Sequence, residues 1–129
     1  MALFGSQDWV DLLKAEVNGN KDMIKAGKGF DATIQFVATG GRKGELAFWT
    51  HMKDGAVLEA VAGEKKKCEY TVTGDYSIWR EIIEGKQDPL QAIMVKKLVF
   101  EGNMQTVMKY IKAVNLVMEC VKSVKTEFE

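Results

Sequence analysis

The stretch that decides the fold reads DYSIWREIIEG at residues 75–85, DPLQAIM at 88–94 and KLVFEGN at 97–103. In the first segment, Asp75 can cap a helix that Gly85 ends. Pro89 directly follows Asp88, which is typical of the first turn of a second short helix. The third segment is too short and too apolar for a helix and is followed by a glycine turn, so it predicts a strand at 97–101.

A long helix is predicted after this stretch, from Met104 to Val124, with Asn103 as its cap. Its apolar residues cover an arc wider than the stripe with which an amphipathic helix normally packs on a core. Three of them are methionines, whose flexible side chains fill irregular volume well. The pattern leaves two interpretations open: an ordinary core helix, or a helix that closes an apolar ligand cavity.

The first half of the chain predicts two helical segments followed by strands. Ser6 can cap a helix that extends to Val17, and residues 22–26 add one more turn. Because a run of strands is then flanked by helices, the fold class is α+β, with the helices packed on one face of a sheet. Alternating apolar residues predict these strands as a meander at 31–39, 46–52, 56–62 and 68–73.

Length and composition describe one globular domain over residues 1–129. The 18 basic and 18 acidic residues balance, so no strong field attracts nucleic acid. The sequence has no stretch of about 18 uncharged apolar residues, the length that a membrane-spanning helix needs. The first residues lack the pattern of a secretory signal. Cys68 and Cys120 lack the close spacing of a redox motif, so we expect reduced, inert thiols in a cytoplasmic protein.

Residues that could carry catalysis are sparse. His51 is the single histidine, and a site that pairs it with Cys68 or Cys120 would need an orienting group and an oxyanion site as well. No cluster of histidine, cysteine and carboxylate residues has the spacing of a metal site. We therefore expect no enzyme activity, no catalytic residue, no metal-binding residue and no cofactor.

Two loops invite a functional interpretation. The glycine-rich residues 40–44 lack the following helix and the Lys-Ser/Thr pair of a phosphate-binding loop, so they predict a hairpin loop. The run 64–67 contains three lysines and predicts a solvated hairpin loop. Its functional alternative is a transient contact with an anionic membrane, to which a lysine near the surface contributes about 1 kcal/mol.

Several short motifs together point to a known family. They are Lys53-Asp54-Gly55 after a strand, Tyr70-Thr71-Val72-Thr73 followed by Asp75, Trp79 with Gly85-Lys86, Pro89 with Ala92 and Met94, and Lys97 to Met104. With these motifs the sequence resembles the sterol carrier protein 2 domain, roughly from Gly29 to Met118. The match is most specific between Gly85 and Met104. One departure is Lys96, where the family often has glycine.

The resemblance implies a five-stranded mixed sheet with helices over one face and an apolar tunnel between the two layers. It also implies binding of fatty acids, fatty acyl-CoA esters, sterols or another apolar small molecule, without any reaction by the domain itself. The final helix is long and rich in methionine for the family, so the resemblance does not fix the size of the ligand.

We expect the tunnel to be lined from both layers and to be closed by the C-terminal helix. The alternative function is a protein-interaction or oligomerisation module, such as a homodimer, that uses the apolar face of this helix. The residues predicted to bind lipid are Ile34, Phe36, Phe48, Trp79, Ile82, Ile93, Met94, Phe100, Met104, Met108 and Ile111.

Overall fold

The computed structural model describes residues 2–42 and 44–128. These residues form six helices and seven strands, of which five strands make the main sheet. In chain order the elements are β1 (Ala2–Leu3), α1 (Gln7–Asn18), α2 (Lys21–Ala26), β2 (Asp31–Gly41), β3 (Gly44–Lys53), β4 (Ala56–Ala62), β5 (Tyr70–Asp75), α3 (Tyr76–Ile83), α4 (Pro89–Met94), β6 (Leu98–Glu101), α5 (Met104–Lys109), α6 (Ile111–Ser123) and β7 (Thr126–Glu127).

The main sheet has the strand order β4-β3-β2-β5-β6. The pairs β2–β3, β3–β4 and β5–β6 are antiparallel, whereas β2 and β5 are parallel. The prediction that all five strands share one mixed sheet is confirmed. The predicted four-strand meander is wrong at its last strand, because the chain leaves the edge strand β4 and crosses the sheet to pair with β2.

This crossover, residues 63–69, lies over one face of the sheet, and a buried glutamine holds it there. The Nε2 of Gln35 donates to the carbonyl of Phe48 (2.9 Å) and to that of Glu64 (3.3 Å), and its Oε1 accepts from the backbone N–H of Lys66 (2.6 Å). The ammonium group of Lys66 lies 4.1 Å from the centre of the Trp49 ring. The lysine run is therefore a fixed crossover and not the predicted hairpin loop, an arrangement set by contacts distant in sequence.

The helices cover the opposite face of the sheet. Helix α1 begins at Ser6, whose Oγ accepts from the Trp9 N–H (3.2 Å), and it packs beside the edge strand β4. Helix α3 begins at Asp75, where hydrogen bonds from the hydroxyl and N–H of Ser77 lower the pKa of the carboxyl group. The indole Nε1 of Trp79 donates to the carbonyl of Val37 (3.0 Å) and ties α3 to the sheet.

The two ends of the chain also meet, which the sequence pattern did not indicate. Strand β1 pairs in parallel with β7, and the Trp9 Nε1 donates to Thr126 Oγ1 (2.9 Å). Phe4 packs edge-on against Trp9, with ring centres 5.0 Å apart. These contacts close the core at the end where α1 begins.

The predicted continuous helix from Met104 to Val124 is wrong. It is interrupted at Tyr110, which has φ −108° and ψ 31° and separates α5 from α6. The Tyr110 ring packs on Phe30, with ring centres 4.9 Å apart. The sequence has no glycine or proline at this position, so no local helix breaker indicated the interruption.

Candidate functional site

An apolar cavity lies between the helix-covered face of the sheet and the helical layer. Its volume is about 130 Å³, roughly ten times the space that one buried water needs. Such a space can admit a ligand without unfolding of the surrounding core.

The sheet forms the floor of the cavity. Successive side chains of a strand point to opposite faces, so every second residue of the central strands faces the helices. One row of this floor runs across three adjacent strands, since Ile34 on β2 pairs with Thr50 on β3 and with Tyr70 on β5. The other floor residues are Phe36, Met52, Val57, Ala60, Val72, Leu98 and Phe100.

The helices supply the walls at both edges of the sheet. Helix α1 lies at the β4 edge and contributes Val10, Leu13, Lys14 and Val17, whereas α4 lies at the β6 edge and contributes Pro89, Leu90 and Ile93. Helix α6 contributes Ala113, Val114, Val117 and Met118. The cavity therefore extends under several helices, with α1 and α4 at its two ends.

The structure brings five of the predicted lipid-binding residues together in the cavity wall. These are Ile34, Phe36, Trp79, Ile93 and Phe100. Phe48 and Ile82 are buried in the surrounding core, and the Phe48 ring stacks on Phe36 with centres 4.8 Å apart. These two residues support the wall from behind.

The remaining predicted residues lie outside the lining. Met94 is 77% exposed and Met108 is 52% exposed, because the inner sides of their short helices are occupied by Ile93 and Val107. Met104 packs on a small cluster around Phe30, and Ile111 is half-buried. Contact of any of these residues with a ligand stays a prediction.

The wall also contains residues outside the set predicted to bind lipid. Val10, Leu13 and Val17 of α1 line the cavity, and their spacing of three and four residues is that of one helical stripe. On α6, Val114, Val117 and Met118 form a similar inner side. An apolar stripe indicates which side of a helix is buried. It does not indicate whether that side packs in a core or lines a cavity.

Three lining residues bring polar groups that are relevant to a ligand. The Nζ of Lys14 donates to the carbonyl of Leu58 (3.2 Å) at the β4 edge. Thr50 is only 5% exposed, and its hydroxyl has no hydrogen-bond partner among residues 2–42 and 44–128. Tyr70 is buried beside Phe100, with ring centres 5.8 Å apart. The rest of the wall is hydrocarbon and aromatic, so the cavity favours an apolar ligand.

The residues considered for catalysis do not enter this cavity. Thr50 and Met52 line it, so the intervening His51 points to the other face of the sheet, where its Nε2 lies 2.7 Å from Asp31 Oδ1. Cys68 and Cys120 are free thiols, and burial raises the pKa of Cys120. Within the described part of the chain, no group of three or more histidine, cysteine and carboxylate side chains could hold a metal ion.

A helix must be long and apolar to cross a bilayer. In the part of the chain that the structure covers, none of the helices has the length and apolar character needed to cross a bilayer.

A mixed sheet and a helical layer around an apolar cavity define a distinct class of α+β domain. The chain belongs to the SCP-2 sterol transfer family, whose model matches residues 10–115. This match confirms the resemblance inferred from the motifs. No curated protein sequence matches the chain.

Solved structures share this fold at low sequence identity. A crystal structure of sterol carrier protein 2 has a TM-score of 0.86 and 19% identity, covering 94% of this chain and 98% of that one. A solution structure from Thermus thermophilus, described as possibly sterol carrier protein, has a TM-score of 0.86 and 19% identity, covering 96% and 91%. Sterol carrier protein 2 from Yarrowia lipolytica, in its apo form, has a TM-score of 0.63 and 21% identity, covering 92% and 93%. These similarities agree with the predicted α+β fold, including the five-stranded mixed sheet under helices.

The left-handed backbone at Lys96 explains the departure noted in the sequence. Its φ is +64°, a conformation that glycine adopts without strain and that other residues adopt less readily. The turn before β6 therefore keeps a glycine-like geometry although the residue is lysine.

Proposed function

We propose that the domain binds a lipid or another apolar small molecule in the cavity, transfers it, and performs no reaction. The observation that carries this proposal is the cavity itself, since side chains from both layers leave apolar space in the middle of the molecule. An empty apolar space loses the packing contacts that normally stabilise a core. A ligand that fills it restores those contacts.

The expected affinity follows from the hydrocarbon that would be buried. Burial contributes about 0.8 kcal/mol per CH₂ group, so about ten such groups contribute roughly 8 kcal/mol. Association and ordering cost several kcal/mol. Micromolar binding is therefore expected without a strong polar contact, and selectivity among lipids of similar length should be weak.

The same geometry supports a closing role for the C-terminal helices. Val107 of α5 and Val114, Val117 and Met118 of α6 form part of the wall. The break at Tyr110 divides this cover into two short pieces, which can move outward separately when a ligand enters. Fatty acids, fatty acyl-CoA esters and sterols remain the ligand classes proposed.

The alternative, an interaction or oligomerisation module, requires the apolar face of the C-terminal helix to be available to a partner. Ala113, Cys120 and Val121 are buried in the core of the domain itself. Among the described residues of α5 and α6, Met108 is the large apolar side chain that is mostly exposed. The geometry thus favours lipid binding over a partner interface at this helix, and a homodimer would need another surface.

We also propose that transfer involves a transient contact with an anionic membrane through the end of α4. Leu90 and Ile93 line the cavity from this helix, whereas Met94 is 77% and Val95 50% exposed. Lys96 and Lys97 follow directly and are exposed. Exposed apolar side chains beside lysines suit the boundary between acyl chains and anionic head groups, and here they adjoin the cavity wall.

Lipid extraction tests the proposed function directly. Purified protein is extracted with organic solvent, the extract is analysed by mass spectrometry, and the oligomeric state is measured over a range of concentrations. We expect lipid to co-purify at a molar ratio that approaches one lipid per chain. We also expect added lipid to displace a bound fluorescent fatty acid. Absence of both, together with a concentration-dependent dimer, would support the interaction module instead. The free thiols fit a reducing compartment, and we retain the cytoplasm as the proposed location.

A further inference from the structure

Two polar side chains, Gln35 and Thr50, are deeply buried in the sheet, and they differ in one respect. Gln35 is 3% exposed and uses both its amide nitrogen and its amide oxygen in hydrogen bonds. Thr50 is 5% exposed, yet its hydroxyl has no partner within the described ranges. Because buried polar groups are nearly always hydrogen-bonded, an exception needs an explanation. The position of Thr50 in the cavity floor suggests that its partner is the ligand.

Lys14 lies at the same end of the cavity as Thr50. Ala60 on β4 pairs with Thr50, and Leu58, whose carbonyl accepts from the Lys14 ammonium group at 3.2 Å, lies two residues before Ala60. An ammonium group has three donors, so Lys14 can also bind a ligand oxygen. No carboxylate of the described residues forms an ion pair with it. A buried hydroxyl on β3 and a positive charge without an ion-pair partner at the β4 edge therefore lie at the same end of the cavity.

The opposite end of the cavity is hydrocarbon. Under α4 the wall consists of Pro89, Leu90, Ile93, Leu98 and Phe100. The five strands from β4 to β6 span roughly 19 Å at about 4.8 Å between neighbours. One leaflet of acyl chains is about 15 Å thick, half of the hydrocarbon core of a bilayer. The sheet is therefore wide enough for the cavity beneath the helices to hold one acyl chain laid across the strands.

We propose that the cavity binds a long-chain fatty acid in one orientation. The carboxylate accepts hydrogen bonds from the Thr50 hydroxyl and the Lys14 ammonium group, and the methyl end lies under α4. This inference rests on the proposed function and makes it more specific, because it names the head group that is recognised and the residues that recognise it. A sterol or an alkane would gain less from this pair of groups than a fatty acid of the same buried area.

Tyr70 is the competing candidate for the head-group contact. It lies in the same row of the floor as Thr50, with Ile34 between them. Its ring, however, packs between Phe30 and Phe100, with centres 6.3 and 5.8 Å away. Among the residues that the structure describes, no lysine lines the cavity on that side. Tyr70→Phe therefore serves as the control that removes a different hydroxyl from the same cavity.

The experiment compares palmitic acid with the alcohol and the alkane of the same chain length, each measured by displacement of a fluorescent lipid. Thr50→Val preserves the shape of the side chain, and we expect it to weaken binding of the acid and the alcohol roughly three- to tenfold, as for loss of one hydrogen bond. Alkane binding should not change. Lys14→Met should weaken binding of the acid alone, whereas Lys25→Met, at an exposed position of α2, should change nothing.

Each outcome decides between the alternatives. The inference is overturned if Thr50→Val binds all three ligands with the same affinity as the unchanged protein. It is also overturned if Tyr70→Phe loses the preference for the acid over the alkane while Thr50→Val keeps it. If the unchanged protein binds none of the three ligands, the proposed function itself fails. Thr50→Ser retains the hydroxyl and should retain the preference for the acid. The thermal unfolding midpoint of Thr50→Val should not fall, since the substitution removes a hydroxyl without a partner.

Discussion

The two faces of the sheet are covered in different ways. On the face crossed by residues 63–69, Gln35 is fully hydrogen-bonded and Lys66 covers Trp49. On the face covered by helices, apolar space remains and Thr50 has no partner among the described residues. The first face is closed by specific polar contacts, whereas the second is left incomplete. This difference supports the proposal that a ligand completes the helix-covered face, and substitutions on the two faces should have different consequences.

The largest expected effect concerns the closed face. Gln35→Leu should lower the free energy of unfolding by about 3 kcal/mol, because it leaves the buried backbone groups that Gln35 binds without their partners. Lipid affinity, measured at a temperature where the variant is folded, should change little. Chemical denaturation measures the stability. Gln105→Leu, at an exposed position of α5, is the control and should cost less than about 0.5 kcal/mol. A strong loss of lipid affinity in folded Gln35→Leu would mean that the two faces are coupled.

The second effect concerns the surface beside the cavity. Replacing Lys96 and Lys97 together by glutamine should weaken binding to anionic vesicles by about 2 kcal/mol at low salt, since each lysine near the surface contributes about 1 kcal/mol. Transfer of lipid to these vesicles should slow, whereas equilibrium affinity for the lipid should not change. The same change at Lys21 and Lys25, two exposed residues of α2, is the control.

Salt dependence sharpens this comparison. Added salt screens exposed charges, so the difference between the double variant and the unchanged protein should shrink as ionic strength rises. Transfer rates that are equal at low salt in the two proteins would exclude α4 as the membrane contact.

The third effect separates a cavity residue from an exposed one of the same type. Met118→Gln should weaken fatty-acyl binding about tenfold, because it places an amide without a partner against the ligand, and should cost less than about 1.5 kcal/mol of stability. Met108→Gln is the matched control: although Met108 was predicted to line the cavity, it is 52% exposed, so both quantities should change little. An equal loss of lipid affinity in both variants would show that the cavity opens as far as α5.

These cases show what the sequence could and could not predict. The sheet and the helix-covered face were predictable because strand alternation and caps such as Ser6 and Asp75 are local signals. The crossover was not, because β5 could pair with β4 or with β2 and the choice depends on long-range contacts such as those of Gln35. Which residues of the short helices face the cavity was not predictable for the same reason. Whether Ile93 or Met94 faces inward depends on how α4 is rotated against β6, and six residues leave that rotation undetermined.

The smallest expected effect concerns the two cysteines. Cys120 is buried in the helical layer, and burial raises the pKa of its thiol, partly offset by a hydrogen bond from the Asn20 amide to Sγ (3.8 Å). Cys68 is half-buried in the crossover on the other face. Since the thiolate is the reactive form, Cys120 should react with a small thiol reagent on the order of tenfold more slowly than Cys68.

The raised pKa also fixes the sign of a pH dependence. Above the ordinary thiol pKa, the unfolded chain has lost the Cys120 proton while the folded protein retains it, so stability falls as the pH rises through this window and is fully present below it. Cys120→Ala should remove that part of the alkaline loss in denaturation curves, and Cys68→Ala serves as the comparison. Reaction of both thiols at the same rate in native protein, or a disulfide between them, would show that the helical layer opens as readily as the crossover and that its apolar space is not enclosed.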